Sequence, residues 1–236
     1  MADVLRVSRT LPWRDAARES YGLRPMFTDR FRHEDFRHAR VLDVGTGDGR
    51  VAFLVAHLGA HVIGVDIDRS KLLQARSYAG VRNLPRAEFV WGDVESSAYS
   101  AFSPDPFDFI VSNLCMSEEI VYRSARHLRP GGKLIFCAHH ADHWKETRRG
   151  SSHSFSEAAM EDLLTDNGFE IEFMGVETLV AEFASLREVE EYLPTRLVRK
   201  WAADGRWTEL ADTFEKGERR LTSAFLVVKA RRLPGA

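Results

Sequence analysis

Short apolar runs recur along this chain, and most of them end at a glycine, an aspartate or the start of a helical stretch. Residues 41–44 (VLDV) read as a strand that runs into a glycine cluster. Residues 50–58 have helical spacing, with Gly59 as a stop. Residues 61–65 form a second apolar run ending in Asp66, residues 70–78 a helix, and residues 88–91 a third strand. A fourth strand is predicted at 107–112 (FDFIVS), then a helix at 118–128 that stops at Pro130-Gly131-Gly132, then a fifth strand at 133–137. The spacing predicts a helix over 155–167, capped by Ser156 and ended by Gly168. Residues 169–177 and 224–230 (AFLVVKA) complete the set as sixth and seventh strands.

Strands alternating with helices of about ten residues build a mostly parallel, doubly wound α/β sheet covered on both faces. The nearly continuous apolar character of the strands fits burial on both sides. Two pieces fall outside this alternation. Residues 1–38 form a leading segment rich in Arg and Phe. Residues 183–220 separate the last two strands, where a hairpin would need only a few residues. Their composition is helical, and they are expected to form a cap inserted into the sheet domain.

At 236 residues the chain has room for one domain with an elaboration. Its 44% apolar and 29% charged residues are ordinary for a globular protein. No apolar run reaches the roughly 20 residues of a membrane helix, and the N-terminus (MADVLRVSRT) lacks the apolar stretch of a secretory signal. Two cysteines, Cys115 and Cys137, make no disulfide framework, which points to a reducing, cytoplasmic compartment and no membrane partner. Thirty-three basic residues against 35 acidic ones, a net charge of −2, argue against a nucleic-acid partner.

The strongest chemical signal is Val41-Leu42-Asp43-Val44-Gly45-Thr46-Gly47-Asp48-Gly49-Arg50. It joins a strand to a helix at the place where doubly wound sheets bind ligands. Glycines there let the backbone turn tightly and approach a ligand, and the helix N-terminus offers unpaired N–H groups. The spacing is G-x-G-x-G. A dinucleotide loop is G-x-G-x-x-G, and here its third glycine position is Arg50, which weakens a nicotinamide reading. Asp66, ending the second strand, is placed to accept both hydroxyls of a ribose. Asp93, after the third strand, is placed to read the exocyclic amine of an adenine. The structural alternatives are a glycine-rich turn, a loop acid and a turn cap, respectively.

Taken together, VLDVGTGDG (41–49), VIGVDID (62–68), FVWGDV (89–94), FDFIVSNL (107–114) and LRPGGKLIF (128–136) resemble the class I S-adenosylmethionine-dependent methyltransferases. The resemblance covers about residues 38–140 in the family's order. It implies a seven-stranded sheet of order 3-2-1-4-5-7-6 with the seventh strand antiparallel. It also implies S-adenosylmethionine as cofactor, with S-adenosylhomocysteine as product. By this resemblance Gly45, Gly47 and Gly49 border the methionine part of the cofactor, Asp43 helps order that loop, Thr46 belongs to the same cofactor-binding set, and Asp66 binds the ribose. Ile67, Asp93 and Val94 flank the adenine, and Asn113 lies near the transferred methyl. The insert is similar in position and length to that of the trans-aconitate and malonyl-carrier methyltransferases. The implied organisation is an N-terminal segment (1–38) covering the cofactor, a donor-binding domain (39–182 and 221–236) and a helical cap (183–220).

Methyl transfer from a sulfonium is an in-line displacement, so alignment and exclusion of water matter most. His139 and His140, after the fifth strand, are the candidates for a general base where the acceptor holds a proton. Together with His143 and Cys137 they do not match a structural zinc pattern, and no metal is expected. Glu118 and Glu119 suit a helix N-terminus without further function, and Cys115 suits a small apolar filler. Trp13 and Tyr21 are placed to cover the sulfonium by cation–π contact, or simply to pack a helix. Arg196, Arg199 and Lys200 share a helix face and can hold a carboxylate or phosphate, or form a solvated surface. The expected activity is methylation of a small-molecule or carrier-bound acid by a monomer or homodimer. The rivals are an RNA or protein methyltransferase and a non-catalytic binder of the cofactor or its product.

Overall fold

The computed structural model describes residues 5–6, 21–149 and 153–235. Among them are nine strands: β1 (Leu5–Arg6), β2 (Arg40–Val44), β3 (His61–Asp66), β4 (Ala87–Trp91), β5 (Phe107–Asn113), β6 (Leu128–His140), β7 (Ser154–Phe155), β8 (Phe169–Glu182) and β9 (Arg220–Arg232). The sheet order is β1-β8-β9-β6-β5-β2-β3-β4, with β7 paired to β6. Without the two-residue strands β1 and β7, this is the seven-strand order expected from the sequence. The helices are α1 (Pro25–Asp29), α2 (Arg50–His57), α3 (Arg69–Val81), α4 (Glu118–His127), α5 (Glu157–Asp166), α6 (Leu186–Tyr192), α7 (Thr195–Asp204) and α8 (Arg206–Glu215). The chain divides into two compact units.

The larger unit comprises Pro12–Ala138, Glu157–Gly175 and Leu226–Ala236. Its strands β2, β3, β4, β5 and β6 pair in parallel. Val41, Leu42, Val44, Ile110 and Val111 are fully buried, as expected of strands covered on both faces. Helix α3 starts where the Asp68 carboxylate accepts the N–H groups of Ser70 and Lys71, and α4 where Ser117 accepts that of Ile120. The phenylalanines of the leading segment are core residues: Phe27, Phe31, Phe36 and Phe109 stack in sequence at 5.0, 5.7 and 4.4 Å. Glu34 of the same segment pairs with Lys133 of β6 and Lys229 of β9, and Glu172 of β8 bonds both lysines. At the outer strand β4, Arg76 reaches from α3 and donates two hydrogen bonds to the Phe89 carbonyl, at 2.7 and 3.2 Å.

The smaller unit comprises Met1–Leu11, His139–Ser156 and Val176–Phe225. Helices α6, α7 and α8 occupy the insert expected between the last two long strands. Their core is Val189, Leu193, Trp201, Leu210, Phe214 and Leu221. The buried Glu146 ties the segment after β6 to β9: its carboxylate accepts the N–H of Thr222 at 3.0 Å and the Thr222 hydroxyl.

Two local expectations are corrected. The stretch from Leu128 does not end a helix but opens β6. Pro130-Gly131-Gly132 lies at a shift in register, where Phe107 faces Leu128 and Phe109 faces Lys133. A proline is tolerated in a strand at such a bulge. Phe155 is not helical either; it pairs with His140 in β7, and the helix begins two residues later.

Candidate functional site

The glycine loop leaves β2 and enters α2 within the larger unit. Asp43 is buried beneath it. One carboxylate oxygen, Oδ2, accepts the Thr46 hydroxyl at 2.6 Å and the Ala52 N–H at 3.0 Å. The other, Oδ1, is buried without a hydrogen-bond partner. Burial pushes this carboxyl up to about 7, with the two hydrogen bonds pulling the other way. The loop is held further by the Thr46 N–H on the Val65 carbonyl, 2.9 Å.

Two of the glycines are required, one by its neighbour and both by a positive φ. A Cβ on Gly45 would overlap the side chain of Cys115. Gly47 has φ +56° and only the Lys71 side chain, 3.8 Å away, near the position of a Cβ. The loop therefore leaves open space at Gly47, a cradle that any side chain would begin to fill. Arg50 does not crowd the helix contact: it is exposed and bonds Asp48 at 3.0 Å.

Asp66 links the loop to the next turn. Its Oδ2 accepts the Gly47 N–H at 2.7 Å and its Oδ1 the Asp68 N–H at 2.8 Å. Each oxygen keeps a further lone pair for a hydroxyl. Ile67 follows with 64% of its surface exposed, and Trp91, at the end of β4, with 49%. Val94 is buried. Asp93 accepts the Glu95 N–H at 2.9 Å, and this hydrogen bond, first among several, holds its carboxyl below the usual carboxylate range. Asp93 thus caps its own turn.

At the end of β5 the buried Ser112 hydroxyl lies 2.9 Å from the Val44 carbonyl and 2.5 Å from that of Cys115, joining the two loops. Asn113 pairs with Cys137 across to β6. Leu114 is exposed with φ +62°, a backbone conformation uncommon for a bulky residue. Burial pushes the Cys115 thiol up to about 11, which keeps it protonated and unreactive at neutral pH.

The structure therefore gathers Asp43, Gly45, Thr46, Gly47, Gly49, Asp66 and Ile67 around one loop and its neighbouring turn. Asp93 with Val94, and Asn113, follow at the ends of the next two strands. The histidines belong to the smaller unit. His139 packs near His143 (4.2 Å between rings) and Phe225 (5.6 Å). His140 is buried, and its Nδ1 accepts the Asp142 N–H at 3.1 Å. The Tyr21 hydroxyl lies 2.8 Å from Nδ1 of His57, and its ring packs on Phe53 and Tyr78. Trp13 lies outside the described residues. Glu118 and Glu119 begin α4, where Glu119 pairs with Arg123. Arg148 and Arg149 bond Glu209 and the Asp204 carbonyl. Sequence reasoning missed Trp91 and Ser112; the only signal for Trp91 was an aromatic beside the Gly92-Asp93 pair.

The open cradle at Gly47, the two-oxygen acceptor at Asp66 and the exposed apolar Ile67 suit an adenosine carrying an extended polar tail. When bound, S-adenosylmethionine supplies a methyl group activated by its sulfonium.

Comparison with known proteins agrees. A methyltransferase domain model matches residues 35–195. The ribosomal protein L11 methyltransferase of Thermus thermophilus is 38% identical over 105 residues, covering 42% of this chain and 39% of that protein. The arsenite methyltransferase of Mus musculus is 25% identical over 117 residues, covering 44% and 31%. The chain thus spans well under half the length of these relatives. The crystal structure of the YcgJ protein from Bacillus subtilis superposes with a TM-score of 0.66 at 18% identity, covering 89% of this chain and 98% of that one, a likeness of fold. The chain belongs to the methyltransferase domain family and has its Rossmann-like fold.

Proposed function

We propose that this methyltransferase acts on a small-molecule or carrier-bound acid. The observation that carries the reading is on α7. Arg196, Arg199 and Lys200 are all exposed there, at positions that share one helix face, and none makes a salt bridge among the described residues. A number of arginines elsewhere are paired with carboxylates, as in Arg37–Asp35, Arg123–Glu119 and Arg231–Glu170. Three unpaired cations on one face suit a carboxylate, or the acidic surface of a carrier. The relatives named above differ in acceptor, one a ribosomal protein and one arsenite.

In this reading the donor is held by Asp43, Gly45, Thr46, Gly47 and Gly49 along the loop. Asp66 holds the ribose, and Ile67, Asp93 and Val94 the adenine, with Asn113 beside the transferred methyl. A carboxylate acceptor is already deprotonated at neutral pH and needs no base. A protonated acceptor would call on His139 or His140.

The test has two parts. Asp66→Ala, by loss of one or two charge-assisted hydrogen bonds, and Gly47→Val, by filling the cradle at a left-handed backbone position, each weaken S-adenosylhomocysteine binding at least about ten-fold, by calorimetric titration. The triple variant Arg196→Gln, Arg199→Gln, Lys200→Gln keeps wild-type product binding but loses transfer of labelled methyl to a panel of free and carrier-bound acids. Transfer confined to RNA or to a ribosomal protein would reject the acid acceptor.

A further inference from the structure

We infer that Trp91 is a positioning residue for the adenosine half of the donor, acting through the turn that carries Asp66 and Ile67. This rests on the donor-site reading above. Two consecutive carbonyls of that turn are held from the end of β4. The Gly92 N–H donates to the Asp66 carbonyl at 3.1 Å, and the Trp91 indole Nε1–H to the Ile67 carbonyl at 3.0 Å. The same turn is fixed from its other side by the Asp66 carboxylate, which accepts the N–H groups of Gly47 and Asp68.

The indole is placed more tightly than its exposure would suggest. Trp91 faces Asp66 across the β3–β4 register, and the Arg69 guanidinium lies over its ring, 4.2 Å from the centroid. An exposed cation–π contact of this kind is modest, but it restricts the ring to the orientation in which its N–H meets the carbonyl. A carbonyl at a surface turn loses little in folding stability when water replaces a side-chain donor. What changes is the order of the turn. Its backbone decides where the Ile67 side chain projects and where the two Asp66 oxygens point. Binding is weakened by whatever must be ordered at the moment of association. The indole hydrogen bond therefore bears on ligand affinity more than on the stability of the free protein.

The experiment is calorimetric titration of the full chain with S-adenosylhomocysteine and with methylthioadenosine, which shares the adenosine but lacks the amino-acid end. Trp91→Phe keeps an aromatic ring for Arg69 and removes the indole N–H together with part of the ring surface. It is expected to weaken both ligands by the same factor, about five-fold, as befits one neutral hydrogen bond. Its unfolding temperature without ligand should match the wild type. Combined with Ile67→Ala, the loss from Trp91→Phe shrinks, because both changes act on the same turn. Unchanged affinity in Trp91→Phe overturns the inference. So does an additive loss accompanied by a lower unfolding temperature, the mark of a general packing role. Asp66→Ala separates the two levels: normal binding there removes the donor site itself. Lost binding in Asp66→Ala with normal binding in Trp91→Phe removes only the role of Trp91.

Discussion

A carboxyl group with almost no exposed surface lies under the ligand loop, and its chemistry dominates the residue scale. Asp43 gains two donors but loses water, and the loss of water prevails, so its proton affinity rises to about 7 from the 3.8 of a free aspartate. Between these values the folded protein holds a proton that the unfolded chain has released. Stability must therefore fall as pH rises from about 4 to about 7, then level off. The contribution is on the order of 3–4 kcal/mol. Asp43→Asn keeps an oxygen for Thr46 and Ala52 and removes the titration. Urea unfolding at pH 5 and pH 8 should show the wild type losing stability across this window and the variant losing much less. The sequence already carried the identity of the loop residues, because Gly45 and Gly47 both adopt a positive φ, a local requirement. It did not carry the role of Trp91, which depends on a partner 24 residues earlier whose carbonyl only the folded β3–β4 pair brings near.

At the scale of elements, the alternation of strands and helices was legible because each core strand is apolar on both faces. The misread elements are those whose pattern is decided by a neighbour. Pro130-Gly131-Gly132 reads as a stop, yet Phe107 offers Leu128 a pairing partner before the bulge. Phe155 reads as the start of a helix, yet it follows Ser154 against the end of β6. Strands β8 and β9 run further than their apolar centres suggest. The insert's helices were legible from composition, but not what holds them. That is Trp201, fully buried and packed edge-on against Trp144 at 4.9 Å. Trp201→Ala should cost about 3–5 kcal/mol, the usual range for removing a large buried aromatic. Thermal unfolding is expected to begin at a lower temperature, with near-ultraviolet dichroism from the tryptophan pair lost.

At the scale of the whole molecule, charge balance sets the company the protein can keep. Several of its surface arginines are neutralised in place: Arg32 by Asp29, Arg40 by Asp105, Arg50 by Asp48 and Arg129 by Asp108. At these positions a nucleic acid would have to break an ion pair to gain a phosphate contact. Filter binding in low salt should find affinity for RNA no better than the non-specific range of about 10⁻⁴–10⁻⁶ M. Submicromolar RNA binding that collapses with added salt would reverse the choice of acceptor. Among the described residues no helix is long and apolar enough to cross a membrane.

Every open sheet has to solve the problem of its last strand, whose outward carbonyls invite another chain to add itself on. Here Arg76 answers that invitation at Phe89. Its guanidinium occupies the acceptor that an incoming strand would need and plants a positive charge beside it. The proposed donor site at the tips of the strands can thus remain open to small molecules, while the outer side of β4 is blocked to an added strand at Phe89.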